Sequence, residues 1–187
     1  MTDPTAGPFL FDTSAASYLA RSAESADRQW VQGYGARSFI CISVVTVLER
    51  VRGYALAWER ADPSRRPQVN QDRLDYLASL EEPGVKVLAL SVAEMVVAGQ
   101  LMALWPTPPS PPRRSHRRVE SRQDRLSRWR FDILTAATAL VAGLPLVHNN
   151  PVDFETLRAG IERSPERFPG VGPLNLILVK RLWPVPA

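Results

Sequence analysis

Residues 130–154 read RFDILTAATALVAGLPLVHNNPVDF, and this stretch decides the fold that we predict. Its first half has the apolar spacing of an amphipathic helix that opens with Asp132, and Gly143 predicts the turn that ends this helix. A short apolar strand at residues 144–147 follows, and then a loop that carries Asp153. One helix-to-strand unit is thus predicted to have an acid at each end.

Two strand-and-helix units precede this stretch. Phe9–Phe11 is a short apolar run that leads into Asp12 and a helical pattern, so Asp12 is predicted to lie at the carboxyl end of a strand. Residues 38–42 favour a second strand, and Ser43 is placed to cap the helix that follows. Glu49 lies roughly two turns into that helix and can point back toward a neighbouring strand end.

The rest of the chain continues the same plan. Five further elements are predicted: a loop at residues 60–67, a helix at 74–80, a strand at 85–90, a helix from 92 to about 104, and an edge strand at 174–179. Strands that alternate with helices are typical of an open, mostly parallel sheet with helices on both faces. We therefore predict a single α/β domain over residues 1–187.

An insertion rich in proline and arginine interrupts this domain at about residues 106–130. Residues 106–112 read PTPPSPP, which excludes a helix or a central strand and predicts an extended connector. Apolar residues recur at helical spacing from Val119 to Leu140. The helix that bears Asp132 is therefore expected to begin well upstream of it.

Arginines make the end of this insertion the most positive part of the chain. Arg114, Arg118 and Arg122 have the i, i+4, i+8 spacing of one helical face. Our hypothesis is that this face guides a phosphodiester backbone toward Asp132 and contributes affinity without sequence choice. A solvated run of charge is the alternative.

Composition limits the classes of function. A net charge of +4 and a pI of about 9.7 favour an anionic partner, although an excess of arginine can also reflect genomic base composition. Cys41 is the single cysteine, so no disulfide can form within the chain, which suits a reducing cytoplasm. Because the sequence has no leader pattern and no apolar run of about 18 residues, we expect a soluble, cytoplasmic protein without a membrane partner.

Four carboxylates are predicted to lie near the ends of strands and helices: Asp12, Glu49, Asp132 and Asp153. Each of them alone is explained as a helix cap or an exposed acid. Together in one cleft they would repel each other and raise each other's pKa, so such a cluster requires a cation. Oxygen ligands without Cys or His favour Mg²⁺ or Mn²⁺ over zinc, and these ions serve phosphate chemistry.

No nucleophilic arrangement of Ser and His is evident in the sequence. His116 lies among arginines and is expected to be solvated, whereas His148 ends a strand and either contacts phosphate or caps the strand end. A phosphatase with Asp12 as its nucleophile would need a second acid two residues later, where this chain has Ser14. Metal-assisted phosphate chemistry is therefore favoured over these alternatives.

Four motifs occur in order along the chain: FLFDTSAAS, ISVVTVLERVRG, FDILTAATALVAGLPLV and HNNPVDF. They resemble the motifs of PIN-domain ribonucleases, and most closely those of VapC-type toxins from bacterial toxin–antitoxin pairs, over most of residues 9–157. The resemblance implies a PIN-like three-layer α/β/α sandwich with a mostly parallel central sheet. It also implies an Mg²⁺- or Mn²⁺-dependent endoribonuclease that forms a homodimer and is neutralised by a cognate antitoxin.

The resemblance also assigns roles to individual residues. The implied catalytic and metal-binding acids are Asp12, Glu49, Asp132 and Asp153. Among them, Asp12 and Asp132 are implied to be the nearest metal ligands. The implied supporting residues are Thr13, Asn150 and His148. His148 departs from the family pattern, because the family commonly has a Thr or Ser at this position.

Two questions stay open at this point. The insertion at about residues 106–130 makes the chain longer than most such toxins. Three roles are open for it: it lengthens the substrate clamp, it recruits the antitoxin, or it is passive. The alternative function is a catalytically idle PIN-like module that binds RNA or protein through its basic segment. Retention of all four acids argues against this module, and His148 in place of a hydroxyl keeps it open.

Overall fold

Five parallel strands form the central sheet of the computed structural model, which describes residues 7–21, 33–113 and 119–179. Their order in the sheet is β3-β2-β1-β4-β5. The strands are β1 (Phe9–Phe11), β2 (Ile40–Ser43), β3 (Val85–Leu88), β4 (Leu146–His148) and β5 (Leu176–Leu178). Every neighbouring pair is parallel, which confirms the predicted sheet. Strand β1, which leads into Asp12, lies at the centre.

Helices cover both faces of this sheet. The longer helices are α1 (Thr13–Arg21), α2 (Val44–Arg60), α3 (Arg66–Ser79), α4 (Val92–Leu104), α5 (Arg122–Ala142) and α6 (Pro151–Arg163). In β1, Leu10 packs in a core cluster with α4, α5 and α6, whereas Phe9 and Phe11 pack in a second cluster with Ala15 of α1. Because successive strand side chains point to opposite faces, the two clusters are the two sides of a three-layer α/β/α sandwich, as predicted.

Two helices begin where the sequence pattern predicts a loop, and both carry proline in their first turn. Helix α3 begins at Arg66, whereas the sequence pattern predicts a loop through residue 67 and a helix only from residue 74. Helix α6 begins at Pro151, so Asp153 lies in a helical first turn and the predicted loop at this residue is wrong. Proline suits this position, because its missing N–H has no intrahelical acceptor there and its φ is already helical.

Helix α5 carries Asp132 near its middle. It begins after Ser121, whose hydroxyl accepts the Asp124 N–H, and it ends at Gly143, which has a left-handed φ of 64°. The predicted upstream start and the turn at Gly143 are confirmed. The prediction that Asp132 opens the helix is wrong, because the capping serine lies well before it. None of the helices within the described ranges combines the length and the apolarity that crossing a bilayer requires.

Of the predicted arginine face, the structure describes only Arg122, the first residue of α5. Arg114 and Arg118 lie outside the described residues. Within the described residues the helix begins at Arg122, after the isolated bridge at Val119 and the extended Ser121 (φ −67°, ψ 156°). The common face of the three arginines stays a prediction.

The proline-rich segment is attached to α5 by specific contacts, and we call residues 105–113 the strap. The Trp129 indole N–H donates to the Trp105 carbonyl (2.7 Å), and the Arg125 guanidinium donates to the Pro108 carbonyl (2.7 Å). The strap is neither helix nor strand, as its prolines predict. It is nevertheless fixed in place, because both of these contacts come from one side of α5.

Candidate active site

The candidate acids are carried by elements that meet at one edge of the sheet. Strands β1 and β4 are neighbours, with Phe11 paired to Val147, so their carboxyl ends lie side by side. Asp12 follows β1 directly, and the turn after β4 leads into the first turn of α6 with Asp153. This is the edge at which open parallel sheets collect their functional groups.

Asp12 and Glu49 form one half of the site, and Thr13 connects them. Asp12 is buried, and its Oδ1 accepts hydrogen bonds from the Ala15 N–H (2.6 Å) and the Ser14 hydroxyl (2.9 Å) at the start of α1. Glu49 is half-buried on α2, and its Oε2 accepts a short hydrogen bond from the Thr13 hydroxyl. We call Asp12, Thr13 and Glu49 the first half-site.

Asp132 and Asp153 form the other half, and Asn150 connects them. The Asn150 Nδ2 donates to Oδ2 of Asp132 (3.1 Å) and to Oδ2 of Asp153 (2.7 Å). Asp132 is half-buried on α5, whereas Asp153 is fully buried. Because an amide nitrogen carries two hydrogens, it can serve both acids at once. We call Asp132, Asn150 and Asp153 the second half-site.

Asp153 also contacts groups that the sequence patterns do not single out. Ser110 of the strap donates to it from its backbone N–H (3.1 Å) and from its hydroxyl (3.0 Å). Arg128 donates to Asp153 from Nη1 (3.1 Å) and also binds Glu120. The one signal for Arg128 in the sequence is its i, i+4 spacing to Asp132, which puts both side chains on one helix face. Nothing in the sequence marks Ser110.

Solved structures resemble this arrangement of elements, although no family model and no curated protein matches the sequence. A chain of VapBC from Salmonella typhimurium, bound to DNA, matches with a TM-score of 0.53 and 19% identity over 91% of this chain and 97% of that chain. A chain of VapBC2 from Rickettsia felis, bound to a DNA fragment from the promoter, matches with a TM-score of 0.52 and 14% identity over the same shares. The chain has a PIN-like fold.

Burial raises the pKa values of three acids at this edge of the sheet, and repulsion between acids adds to the rise for Asp12 and Asp132. Burial raises the pKa of Asp12 to about 6, and the charge of Glu49 adds to this rise. Burial also raises the pKa of Glu49, although the hydrogen bond from Thr13 opposes it. The pKa of Asp132 lies well above its ordinary value because of burial and of the charges of Asp153, Glu49 and Asp12. Asp132 is therefore coupled electrostatically to all three other acids.

Three of the four acids are held by neutral hydrogen-bond donors among the described residues. Within the described ranges, no Arg or Lys forms a salt bridge with Asp12, Glu49 or Asp132, whereas Arg128 pairs with Asp153. No group of three or more His, Cys, Asp or Glu side chains in those ranges is arranged to hold a metal ion. The charges of these acids act on each other, but their side chains would have to move closer together to coordinate one ion.

His148 is a buried packing residue beside the second half-site. Its Nδ1 accepts the Asn150 N–H (3.2 Å), and its ring packs against Phe154 with 4.9 Å between ring centroids. Burial lowers the pKa of His148 to about 4, so the imidazole is neutral at physiological pH. With 1% of its surface exposed, His148 fits the cap at the strand end rather than the phosphate contact.

The described residues include one of the three arginines predicted to bind RNA. Arg122 is exposed at the first position of α5. The arginine that forms a salt bridge with one of these acids is Arg128, which lies further along the same helix.

Proposed function

We propose that this protein is an endoribonuclease that hydrolyses RNA phosphodiester bonds with Mg²⁺ or Mn²⁺ as its cofactor. The observation that carries the proposal is the placement of four hydrogen-bonded acids, two in each half-site, at the carboxyl edge of a PIN-like sheet. Buried carboxylates with raised pKa values are costly to ionise, and a bound divalent cation offsets that cost. Phosphodiester hydrolysis is the reaction that such a centre serves best.

The donor set fits a hard divalent cation. Carboxylate oxygens are the ligands that Mg²⁺ and Mn²⁺ prefer, and Asp12, Glu49 and Asp132 present them without a basic partner among the described residues. Asp12 and Asp132 are assigned as the nearest ligands, with Glu49 and Asp153 acting directly or through water. When bound, such an ion lowers the pKa of an attacking water and stabilises charge on the leaving oxygen.

Three neighbouring residues support the acids. The Thr13 hydroxyl orients Glu49, and the Asn150 amide sets the separation of the two acids in the second half-site. His148 holds the backbone at Asn150 by accepting its N–H. Partners of this kind restrict the side chains before the ion and the RNA bind, so less conformational freedom is lost on binding.

Basic residues supply affinity for the RNA backbone in this proposal. Arg122 is exposed at the start of the helix that carries Asp132, and Arg114 and Arg118 precede it in the chain. Contacts of arginine with phosphate raise affinity for any RNA sequence and weaken as salt is added.

The proposal extends to a toxin role with a cognate antitoxin as the inhibitor, and to a cytoplasmic location. The solved structures that share the fold include chains of VapBC complexes. Expression of the chain is expected to arrest growth, and co-expression of a small DNA-binding protein encoded beside its gene is expected to relieve the arrest. An arrest that the neighbouring protein leaves unchanged would remove that protein as the antitoxin.

A homodimer is also proposed, with the outer face of α4 as its contact surface. Val92, Met95 and Val96 on this face are more than half exposed. Apolar side chains grouped in this way are typical of protein contacts, and one such face can pair with itself across a twofold axis. Sedimentation of the purified protein tests this, since Val96→Asp is expected to shift a dimer toward monomer.

Cleavage of a labelled single-stranded RNA tests the enzymatic activity. We expect cleavage with Mn²⁺, loss of cleavage in EDTA, and recovery when Mn²⁺ is returned in excess. Asp132→Asn should be folded and inactive. Cleavage that continues in EDTA would contradict the metal dependence. A folded wild-type protein that binds RNA but does not cut it with Mn²⁺ would instead favour the idle PIN-like module.

A further inference from the structure

Arg128 is the basic side chain that enters the acid cluster among the described residues. It is largely buried, and its Nη1 lies 3.1 Å from Oδ2 of Asp153. Its Nε and Nη2 donate to the two carboxylate oxygens of Glu120, each at 3.1 Å. The planar guanidinium thus bridges two carboxylates, a geometry that suits arginine and that lysine does not reproduce.

Ser110 completes the enclosure of Asp153. The Asp153 carboxylate accepts four hydrogen bonds: two from the N–H and the hydroxyl of Ser110, one from Arg128 and one from Asn150. A carboxylate has about four lone-pair sites. Because Asp153 also has no exposed surface, it is saturated by protein donors.

The acids of the first half-site are in a different state. Asp12 and Glu49 accept hydrogen bonds from neutral groups of Thr13, Ser14 and Ala15 within the described ranges. They form no salt bridge with an arginine there, although the charges of Arg113, Arg52 and Arg128 partly oppose the rise in the pKa of Glu49. A divalent ion gains most from carboxylates whose charge is not yet neutralised.

We propose that Arg128 and Ser110 are positioning residues that keep Asp153 out of the inner ligand set, so that Asp12, Glu49 and Asp132 hold the ion. This inference deepens the proposed function and rests on it. Arg128 supplies the positive charge that Asp153 would otherwise need from the ion. Asp153 then acts through Asn150, whose amide it holds against Asp132.

Mn²⁺ binding to the whole chain, measured by electron paramagnetic resonance of the free ion, tests this inference without any nuclease assay. Asp132→Asn is expected to weaken binding by at least about 100-fold, because a ligand is lost. Asp153→Asn is expected to weaken binding by about tenfold, because the uncompensated Arg128 repels the ion. Adding Arg128→Gln to Asp153→Asn removes both charges and is expected to restore the wild-type Kd to within about threefold.

Arg125→Gln combined with Asp153→Asn is the matched control. Arg125 is also an arginine of α5 that contacts the strap, but its partner is the Pro108 carbonyl and not an acid of the site. This pair should bind Mn²⁺ as weakly as Asp153→Asn alone. Recovery in the control as well would assign the effect to general charge and overturn the role of Arg128.

A double variant Arg128→Gln/Asp153→Asn that is folded and binds Mn²⁺ as weakly as Asp132→Asn would make Asp153 a ligand and overturn the inference. If Asp153→Asn alone does not fold, the wild type, the double variant and Asp132→Asn still decide the question. A wild-type protein without saturable Mn²⁺ binding would overturn the proposed function itself, and this inference with it. Circular dichroism of each variant verifies the fold.

Discussion

The two half-sites each contain two acids, but they treat the negative charge in different ways. In the first, Asp12 and Glu49 are held by neutral hydroxyl and amide groups. In the second, Asp153 is paired with the guanidinium of Arg128. One buried acid of the cluster therefore has its own counter-charge, whereas burial raises the pKa values of the other three.

The largest effect is expected from Asp12→Asn, which removes charge from the half-site whose acids form no salt bridge with the described residues. Cleavage of RNA should fall by at least about 10³-fold, because a nearest ligand of the proposed ion loses its charge. Cleavage of a labelled RNA and thermal unfolding are measured together. A folded Asp12→Asn protein that cuts RNA at the native rate would contradict the assignment of the first half-site.

The next effect concerns the stability of the metal-free protein against pH. Because the folded pKa of Asp12 is about 6 and its ordinary value is 3.8, the folded state binds the proton more tightly. Asp12 therefore lowers the unfolding free energy as pH rises from about 4 to 7, by about 3 kcal/mol in total. Denaturant unfolding in EDTA should show Asp12→Asn gaining that stability relative to wild type over this range.

Comparing the unfolding free energies of Asp12→Asn and wild type removes the contribution of His148, which changes with pH in the opposite direction. His148 has a folded pKa of about 4 and an ordinary value of 6.5, so its contribution to stability is lost as pH falls through this interval. This contribution cancels when Asp12→Asn is compared with wild type. A stability difference that stays constant from pH 4 to 7 would mean that Asp12 does not bear the raised pKa.

A smaller effect is expected from Thr13→Val, which keeps the shape of the side chain and removes the donor to Glu49. Mn²⁺ affinity should fall by about tenfold, because Glu49 is no longer oriented before the ion binds. Ser17→Ala is the control, since the Ser17 hydroxyl contacts Arg50 of α2 and not an acid of the site. Equal affinities for wild type and Thr13→Val would leave Thr13 without a supporting role.

The smallest effect is expected outside the half-sites. Replacing Arg114, Arg118 and Arg122 by Gln should flatten the slope of log K against log salt for RNA by up to about 2, since each phosphate contact on a single strand contributes about 0.7. A matched triple change of exposed arginines is the control: Arg60 at the end of α2, Arg65 just before α3, and Arg73 on α3. If both triple variants change the slope equally, the predicted arginines act only through net charge.

Local patterns in the sequence predict most of the elements that carry the first half-site. Strand β1 and the start of α2 follow from apolar runs and from the capping Ser43, and both are confirmed. The starts of α3 and α6 are less predictable, because proline both breaks helices and begins them. Because of this ambiguity, the sequence pattern predicts a loop at Asp153, which in fact lies in the first turn of α6.

The second half-site depends on contacts between distant parts of the chain, which local patterns do not reveal. Ser110 reaches Asp153 only because the strap folds back along α5. In the sequence, Arg128 is one of many arginines. In the fold, the pairing of β1 with β4 brings Asp153 beside it. The roles of individual residues in a buried polar cluster are therefore tertiary properties.

The most direct test of the central claim is the binding of Mn²⁺ to the purified wild-type protein and to Asp12→Asn at neutral pH. The acid cluster is expected to bind Mn²⁺ saturably in the wild type, with an affinity at least about 100-fold weaker in the variant. Absence of saturable binding in the wild type, or equal affinity in the two proteins, would contradict a divalent-cation site at these acids.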